Sequence, residues 1–453
     1  MRSALTARQM ALSGWGRYPR LSCAVYRPER ARELTQLFAL PVSTLVARGA
    51  GRAYGDAALN QTGAVVDLQR LNRILSFDPS GLVRCEAGVT FADLIEVFLP
   101  RGFFPPASPG TKFVTVGGAL AADVHGKSHH REGSFARHVA SFKLILPNGE
   151  LCDCTPADGD LFLATAGGMG LTGIITELEL RLRPVSSAYL AVETLPARNL
   201  DQALELFDRV DSHQYSMAWI DCLSRGRAMG RAIVMAGDFA PSQALPPAQR
   251  DQPWRIAPRA RHRLPVDLPG PLLNSVSVRA FNELYYRVQR HGAGNHISDY
   301  DTFFYPLDAI EQWNRLYGRR GFVQYQCVWP LAEGRRALIE LLDAISRSRR
   351  GSFLAVLKRF GPQEGIMSFP MAGYTLALDF PLRRGLLDFL ERLDELVVAH
   401  GGRVYLAKDA RLRPARLRQM YPELPRFRAI RDRVDPNHRL ASSLSRRLEI
   451  DQA

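Results

Sequence analysis

The chain has 453 residues, of which 46% are hydrophobic, and its formal net charge at pH 7 is +14. This apolar content excludes a disordered chain. The length is too great for a single hydrophobic core, so we expect two domains. The charge favours acidic partners, such as phosphate-bearing cofactors, nucleic acid or an anionic membrane, without choosing among them.

The cysteines and the N-terminus indicate a reduced protein of the cytoplasm. The six cysteines are scattered, and the one close pair, Cys152 and Cys154, has neither zinc nor redox spacing. The stretch up to Gly16 has no sustained apolar core of a signal peptide, and no run of about 18 apolar residues occurs. We therefore expect a soluble chain without a membrane span.

The first glycine cluster, TLVARGAGRAYGDAALN, covers residues 44–60 and begins as an apolar strand. Glycines at this density let backbone N–H groups approach an anion, and Arg48 and Arg52 add positive charge, which suits a pyrophosphate. A plain turn is the competing interpretation. No Walker motif follows, and Tyr54 stands where the helix of a dinucleotide fingerprint would open.

Strands and a helix alternate after this cluster. Apolar residues at helical spacing predict a helix that begins after Thr90, with Asp93 as the partner in its N-cap, and ends at Gly102. A hairpin is predicted around Asn148-Gly149. The order of elements is typical of an α+β domain.

Two further glycine clusters lie in this part of the chain. SPGTKFVTVGGALAADVHGKSHHREGSF covers residues 108–135, and ATAGGMGLTGIITELELRLRPV covers 164–185 and predicts a long strand ending at Pro184. Three glycine-rich turns within about one domain's length are more than ordinary loops need. Histidines are dense in the second cluster, but no carboxylate is placed to complete a zinc site, so no metal is expected.

After Val185 the chain has a second α+β pattern. Helices are predicted at 200–210, 277–290, 334–346 and 385–400, and strands at 215–223, 230–237, 322–330, 353–361 and 374–381. The proline-rich stretch 241–271 is predicted to be a surface excursion. The last part begins with a predicted strand, RVYLAKD, and continues in arginine-rich helices.

The motifs RGAGRAYGD, SPGTKFVTVGGALAADVHGKSHHREGSF, GGMGLTGIITEL and YLAKD together resemble the flavoprotein superfamily of vanillyl-alcohol-oxidase fold (PCMH-type), which holds FAD between two α+β lobes. Within it, the chain is similar over nearly its whole length to the branch that oxidises polyprenyl-phosphoryl ribose. The resemblance implies a two-lobed FAD-binding domain at 1–185 and a substrate domain at 186–400, with an antiparallel sheet flanked by helices. Residues 401–453 would return to the FAD-binding domain.

The resemblance also implies a set of cofactor-binding residues. The first cluster would wrap the FAD pyrophosphate through Ala47, Arg48, Gly49, Ala50, Gly51, Arg52, Ala53, Tyr54, Gly55, Asp56 and Ala57. The rest of the cofactor would be lined by Gly110, Thr115, Val116, Gly117, Gly118, Ala122, Asp123, Val124, His125, Ile175 and Tyr405. Arg52 occupies the place of a histidine that bonds covalently to flavin in several relatives, so we expect non-covalent FAD.

Oxidation of a secondary alcohol needs a hydride acceptor, a group that takes the hydroxyl proton, and positive charge near the reduced flavin. Lys408 in YLAKD is the first candidate, because we expect its strand to direct it into the site; a solvated lysine at a strand end is the alternative. His125 has a suitable intrinsic pKa, and Tyr54 can relay or position the hydroxyl. Which of the three takes the proton stays open.

Six residues are expected to contact the substrate: Lys127, Gln324, Gln326, Lys358, Thr375 and Ala377. The two glutamines share one strand face and would bind sugar hydroxyls, and Lys358 would hold a phosphate. An ordinary half-buried polar face and a lysine at the rim are the competing interpretations. In actinobacterial relatives an asparagine and a pocket cysteine occupy the places of Thr375 and Ala377. These departures leave the sugar open and predict that covalent inhibitors aimed at that cysteine do not act.

The implied reaction oxidises the 2′-hydroxyl of a polyprenyl-phosphoryl-β-D-ribofuranose to the 2′-keto sugar. This is the first half of an epimerisation to the arabinose form, which a short-chain-dehydrogenase-type keto-reductase would complete. An alditol or aldono-1,4-lactone oxidase of the same fold is the second hypothesis. The third is a non-catalytic binder of nucleic acid or anionic membrane through the arginines after Arg411; basic and aromatic residues do not interleave there, so nucleic acid is not expected. With a lipid substrate, the basic surface can dock on the inner face of the membrane.

Overall fold

The computed structural model of the chain describes residues 6–39, 41–257 and 259–452. Residues 1–5 of the N-terminal stretch and Pro258 of the proline-rich stretch therefore lie outside the described residues. Within the described ranges, no helix combines the length and the apolar composition needed to cross a membrane.

The structure consists of strands and helices in mixed order. The strands are β1 (Arg8–Ser13), β2 (Arg20–Tyr26), β3 (Leu45–Arg48), β4 (Ala64–Asp67), β5 (Ile74–Phe77), β6 (Leu82–Glu86), β7 (Phe103–Phe104), β8 (Val139–Ile145), β9 (Leu151–Cys154), β10 (Ile174–Arg181), β11 (Arg183–Pro184), β12 (Tyr189–Ala197), β13 (Tyr215–Ile220), β14 (Ala232–Phe239), β15 (His262–Arg263), β16 (Gly294–Asp299), β17 (Ile310–Glu311), β18 (Phe322–Pro330), β19 (Ala355–Phe360), β20 (Gly373–Pro381) and β21 (Arg403–Val404). The helices are α1 (Phe91–Phe98), α2 (Val116–Ala121), α3 (His129–Glu132), α4 (Asp160–Thr165), α5 (Leu200–Arg209), α6 (Pro247–Arg250), α7 (Ser275–His291), α8 (Tyr300–Phe304), α9 (Leu331–Ser348), α10 (Leu386–Ala399), α11 (Pro414–Met420), α12 (Leu424–Val434) and α13 (Ser443–Arg447).

Two sheets carry the three glycine clusters. One has the order β1-β2-β4-β3, in which β2, β4 and β3 run parallel and β1 is antiparallel to β2. The other has the order β5-β6-β10-β8-β9 and is antiparallel throughout. The predicted helix is confirmed as α1, because Thr90 and Asp93 form a capping box and Gly102 follows with a φ of 81°.

The long strand predicted to end at Pro184 is shorter in the structure. Strand β10 ends at Arg181, and the chain then leaves its sheet to pair with β7 through β11. The change of partner follows Leu182, whose side chain packs in the core beneath the five-stranded sheet.

The second half of the chain forms an eight-stranded sheet. Its order is β16-β12-β14-β13-β19-β20-β18-β21, and each neighbouring pair is antiparallel. Helices α5, α9 and α10 pack on one face, where their apolar side chains form the largest core of the described chain with alternate residues of the strands. The predicted α+β class with an antiparallel sheet flanked by helices is confirmed.

The end of the chain connects the sheets. Strand β21 forms an edge of the eight-stranded sheet, and Leu440 then pairs with Leu45 of β3. Farther on, the guanidinium of Arg447 binds the carboxylates of Asp56 and Asp409, at 2.7 and 2.8 Å. These contacts hold the turn after β21 against the first glycine cluster.

Candidate active site

A cavity of about 650 Å³ lies between the glycine clusters and the face of the eight-stranded sheet opposite α5, α9 and α10. Strands β13, β18, β19 and β20 contribute alternate residues to its wall, because successive side chains of a strand point to opposite faces. The sheet residues are Met217, Trp219, Gln324, Gln326, Val356, Lys358, Ala377 and Asp379. The cavity therefore has one wall of backbone turns and one wall of strand side chains.

Most of the predicted site residues line this cavity. From the first cluster these are Ala47, Arg48, Gly49, Ala50, Gly51, Arg52, Ala53, Tyr54 and Ala57. From the rest of the chain they are Gly110, Thr115, Gly117, Gly118, Ala122, Val124, His125, Lys127, Ile175, Gln324, Gln326, Lys358, Ala377, Tyr405 and Lys408.

Five predicted residues do not line the cavity, and each has a supporting contact instead. Gly55 packs against the carbonyl of Asp409, and the Asp56 carboxylate pairs with an arginine of α13. Val116 is fully buried in a hydrophobic core. The carboxylate of Asp123 accepts hydrogen bonds from Ala136 N, Ser368 Oγ and Gln363 Nε2, and the hydroxyl of Thr375 donates to the Cys327 carbonyl. These five residues therefore support the structure around the cavity, and their contact with a ligand stays a prediction.

The first cluster forms a close-fitting backbone turn. Gly51 has a φ of 65°, and a side chain at Gly49 would overlap Thr115 of the second cluster. The guanidinium of Arg48 donates to the carbonyls of Ser13 and Ala58, at 2.7 and 3.3 Å, so this arginine supports the turn. The Arg52 guanidinium lies 4.2 Å from the Trp15 ring centroid.

Arg52 has unsatisfied hydrogen-bonding capacity. Its Nε is buried and finds no hydrogen-bond partner in the part of the chain that the structure describes. Burial lowers the pKa of this guanidinium, but arginine stays charged at any physiological pH. A buried cation with a free donor beside glycine backbone is suited to a phosphate oxygen.

Lys408 reaches the cavity from a turn rather than from a strand. The predicted strand RVYLAKD ends at Val404, because the Lys408 amide bonds back to the Tyr405 carbonyl. The Tyr54 amide donates to the Ala407 carbonyl at 2.9 Å, and Lys408 Nζ lies 3.8 Å from the Tyr54 ring centroid. A backbone hydrogen bond thus fixes the lysine beside the first cluster.

Burial lowers the pKa of Lys408, and the neighbouring Lys358 lowers it further, whereas Asp379 opposes both effects. The amine is therefore neutral over much more of the pH range than an ordinary lysine. Burial and Asp379 raise the pKa of Tyr54 well above its usual value, so its phenol stays protonated. Of these two groups, only Lys408 can accept a proton near neutral pH.

His125 is held as a neutral ring. The Gln326 amide donates to its Nε2 at 2.7 Å, so Nδ1 carries the proton of the neutral imidazole. Burial, with a smaller effect of Lys358, lowers the pKa of His125 well below 6.5. The expectation from its intrinsic pKa is therefore wrong, since burial removes the titration from the neutral range.

Asp379 is a site residue that the sequence prediction missed. Its buried carboxylate accepts hydrogen bonds from Gln324 Nε2 at 2.6 Å and from the Tyr317 hydroxyl at 3.1 Å. Burial raises the pKa of this carboxyl, and Lys408 lowers it. The signal was available, because Asp379 is two residues after Ala377 on one strand and so shares its face.

The cavity wall carries more cations than carboxylates. Among the described residues that line it, Arg48, Arg52, Lys127, Lys358 and Lys408 face one acid, Asp379. Burial lowers the pKa of Lys127 to about 7 and that of Lys358 to about 8. The Lys127 ammonium bonds the Phe303 carbonyl and lies 4.3 Å from the ring centroid of the same residue. This balance favours anionic ligands.

The two glutamines use their N–H groups within the protein. Gln324 donates to Asp379, and Gln326 donates to His125 and to Thr375 Oγ1. Their amide oxygens are the groups left for a ligand, which would have to donate to them. Sugar hydroxyls can do this.

One end of the cavity is apolar, which the sequence did not predict. Met217 and Trp219 of β13, Phe281 and Tyr285 of α7, and Phe353 line it. Phe281 and Tyr285 are one helical turn apart, and this i, i+4 spacing was the available signal.

The residues present fit FAD. The glycine turns leave backbone within reach of a pyrophosphate, and the unpartnered Arg52 Nε supplies a donor beside them. The volume lies within the range of cofactor and ligand sites. Three lysines also line the cavity: Lys358 lies on β19, Lys408 in the turn after β21, and Lys127 in the second glycine cluster.

Comparison with known families supports this assignment. The model of a family described as FAD binding domain matches residues 24–155, which include the first two glycine clusters. The model of a family described as D-arabinono-1,4-lactone oxidase matches residues 316–448, which include Gln324, Lys358 and Lys408.

Three curated relatives extend over most of the chain. This chain is 38% identical to decaprenylphosphoryl-β-D-ribose oxidase of Mycolicibacterium smegmatis over 450 residues, which cover 97% of each of the two chains. It is 37% identical over 370 residues to an uncharacterised Streptomyces coelicolor protein, covering 80% of this chain and 100% of the other. It is 23% identical to L-gulono-1,4-lactone dehydrogenase of Mycobacterium tuberculosis over 436 residues, 94% of this chain and 95% of the other.

Proposed function

This chain belongs to the family of decaprenylphosphoryl-β-D-ribose oxidase and is an FAD-dependent oxidoreductase, and on that premise we propose that it oxidises a polyprenyl-phosphoryl-β-D-ribofuranose. The 2′-hydroxyl becomes a ketone. The observation that carries the proposal is the excess of cations on the cavity wall, where Arg48, Arg52, Lys127 and Lys358, without counting the proton-accepting Lys408, outnumber the single carboxylate of Asp379. Both the pyrophosphate of FAD and the phosphodiester of such a sugar are anions that these cations would bind.

FAD, when bound, supplies the acceptor for the hydride that leaves the carbinol carbon. Neutral Lys408 takes the hydroxyl proton and becomes an ammonium ion. The lowered pKa of this lysine makes its neutral form available at physiological pH. Tyr54, whose phenol stays protonated beside the lysine, would hold the substrate hydroxyl.

Asp379 assists by stabilising the ammonium that Lys408 becomes. Its carboxylate is fixed by Gln324 and Tyr317, so it does not have to reorganise when the proton arrives. Lys127 and Lys358 bind the substrate phosphate. His125 stays a neutral imidazole, which either donates a hydrogen bond to the substrate or packs against it.

We propose that FAD is held without a covalent bond. Arg52 occupies the place at which relatives carry a flavin-linked histidine, and a guanidinium does not form that bond. Acid precipitation of the purified protein should leave all flavin in the supernatant, and flavin retained in the pellet would contradict the proposal.

The test of the reaction is anaerobic flavin reduction. The FAD-loaded protein is mixed with a prenyl-phosphoryl ribose, a free alditol or an aldono-1,4-lactone, and loss of oxidised-flavin absorbance is followed. We expect rapid bleaching with the phosphorylated sugar alone. Replacing Lys358 by Gln should raise KM for this substrate far more than it lowers kcat.

The second candidate is an aldonolactone oxidase. The match of residues 316–448 to the D-arabinono-1,4-lactone oxidase family favours it, as does the lactone dehydrogenase among the relatives. The relative with higher identity favours the first candidate. Efficient flavin reduction by a lactone, with none by the prenyl-phosphoryl ribose, would establish the lactone oxidase as the function.

Two partners follow from the proposed product. A 2′-keto sugar becomes the arabinose form only after a second enzyme delivers hydride to the opposite face, which we assign to a short-chain-dehydrogenase-type keto-reductase. The lipid tail of the substrate also implies that the protein works peripherally at a membrane surface.

A further inference from the structure

Helix α7 exposes an apolar face that the fold does not cover. Six of the eleven exposed large hydrophobic residues that the structure describes lie between Val266 and Val288. On α7 the exposed fractions are 74% for Val276, 63% for Leu284 and 57% for Val288. These residues and Phe281 lie on one side of the helix, since they recur at spacings of three to five and eight residues. A contiguous apolar surface of this kind marks a site of interaction.

The helix itself is firmly attached. Asn282 on its inner side donates to Asp221 at 2.7 Å, and the Tyr286 hydroxyl donates to the Ala197 carbonyl at 3.2 Å. Val278, one turn before Asn282, is buried as well. The outer side chains are therefore presented by an ordered element that packs on the sheet.

The exposed face continues into the cavity. Phe281, which is part of that face, and Tyr285 both line the apolar end of the cavity, where they meet Trp219 and Phe353. An apolar chain lying along α7 can thus reach the cavity without crossing polar surface.

Arginines border the same face. Arg279, Arg287 and Arg290 are exposed on α7, and Arg287 pairs with Glu283. A groove lined by Arg319 and Arg320 lies against the chain just before α7, where Leu272 is 53% exposed. An exposed apolar helix face flanked by arginines is complementary to the interface of an anionic bilayer.

We infer that the outer face of α7 docks on an anionic lipid bilayer, and that the tail of a lipid-linked substrate passes from the bilayer into the cavity beside Phe281 and Tyr285. The inference rests on the proposed function for the lipid-linked substrate. Docking places the apolar end of the cavity at the depth of the acyl chains. The phosphate and sugar then lie farther in, towards Lys127, Lys358 and Lys408.

The test uses flotation of the FAD-loaded 453-residue chain with vesicles of phosphatidylcholine, with and without phosphatidylglycerol. One variant combines Leu284→Glu and Val288→Glu, and a second combines Arg319→Ala and Arg320→Ala. The matched control is Leu151→Glu on β9, where the side chain is 52% exposed and distant in sequence from α7. None of these residues lines the cavity.

We expect the wild type and the Leu151 control to float with the anionic vesicles. The variant with Leu284→Glu and Val288→Glu should bind about tenfold or more weakly than the wild type, whichever vesicle is used, because two apolar side chains no longer insert into the bilayer. The arginine pair should weaken binding to anionic vesicles alone, by about fivefold per arginine. Undiminished binding of the glutamate variant, or no binding by the wild type, would overturn the inference.

A soluble short-prenyl phosphoryl ribose separates this inference from the proposed function. The glutamate variant should reduce its flavin with that substrate at the wild-type rate, but turn over a long-chain substrate in vesicles more slowly. If the wild type does not oxidise the short substrate, the proposed function fails whatever the vesicles show. If the glutamate pair instead splits a dimer of the wild type and leaves vesicle binding intact, α7 is a self-association face and the bilayer inference is wrong.

Discussion

Replacing Lys408 by Met should abolish efficient flavin reduction while leaving FAD bound. Neither of the other two candidate proton acceptors can replace it: Tyr54 stays protonated, and His125 Nε2 already accepts from Gln326. General-base catalysis contributes about 10² to 10⁴-fold. Without a substitute the loss should lie in the upper part of that range, about 10³ to 10⁴-fold, or roughly 4 to 5 kcal/mol of transition-state stabilisation.

The assay is anaerobic stopped-flow mixing with a prenyl-phosphoryl ribose across a range of pH. Burial lowers the Lys408 pKa, so the wild-type rate should rise with pH and reach its plateau well below the pH at which an ordinary lysine titrates. The Met variant should lack this rise, and Lys408→Arg should too, because arginine keeps the charge but does not release its proton. Lys143→Met on β8, outside the cavity, is the control. A Met variant that binds FAD and keeps more than about a tenth of the rate would refute the reasoning.

Three further results are expected. Asp379→Asn removes the charge that raises the pKa of Lys408, so the rising limb of the rate profile should move to lower pH. An unmoved limb would show that Asp379 does not influence the pKa of the group that titrates. Ala377→Cys places a thiol on the cavity wall, so a cysteine-reactive ligand that leaves the wild type unmodified should label the variant, as mass spectrometry would detect. His400 binds two glutamates that, against the opposing effect of burial, raise its pKa above 6.5. Its stabilisation should be present at acidic pH and lost as pH rises through the raised value, so His400→Ala should cost up to about 1 kcal/mol in urea unfolding at pH 5.5 and less at pH 9; an equal cost at both would contradict the ion pairs.

Local signals determined the elements that the sequence predicted well. Helix α1 begins where predicted, and a 3-10 turn at Leu99–Arg101 continues it to Gly102, because Thr90, Asp93 and Gly102 act on backbone groups within one turn. The hairpin at Asn148-Gly149 follows for the same reason, with a φ of 87° at the glycine. Such features need no knowledge of distant segments.

Tertiary contacts decided the features that the sequence predicted wrongly. RVYLAKD alternates like a strand, but the Tyr405 amide bonds the Gln326 carbonyl, its hydroxyl bonds the Ala122 carbonyl, and the chain turns before Lys408. The intrinsic pKa of His125 likewise held no information about its burial. Gly55, Asp56 and Asp123, which the resemblance puts at the ligand, support the loops that line the cavity, and their contact with a ligand stays a prediction.

The choice between lysine and arginine carries a signal that the net charge does not. The chain has 59 lysine and arginine residues, of which five are lysines, namely Lys112, Lys127, Lys143, Lys358 and Lys408. Three of the five line the cavity, and burial lowers the pKa of each. A guanidinium serves where charge alone is needed, but it stays protonated when buried, whereas an amine can lose its proton. The concentration of lysines at this cavity in an arginine-rich chain is therefore what a site that must accept a proton requires, and it supports the proposal that the reaction takes place there, independently of the glycine motifs.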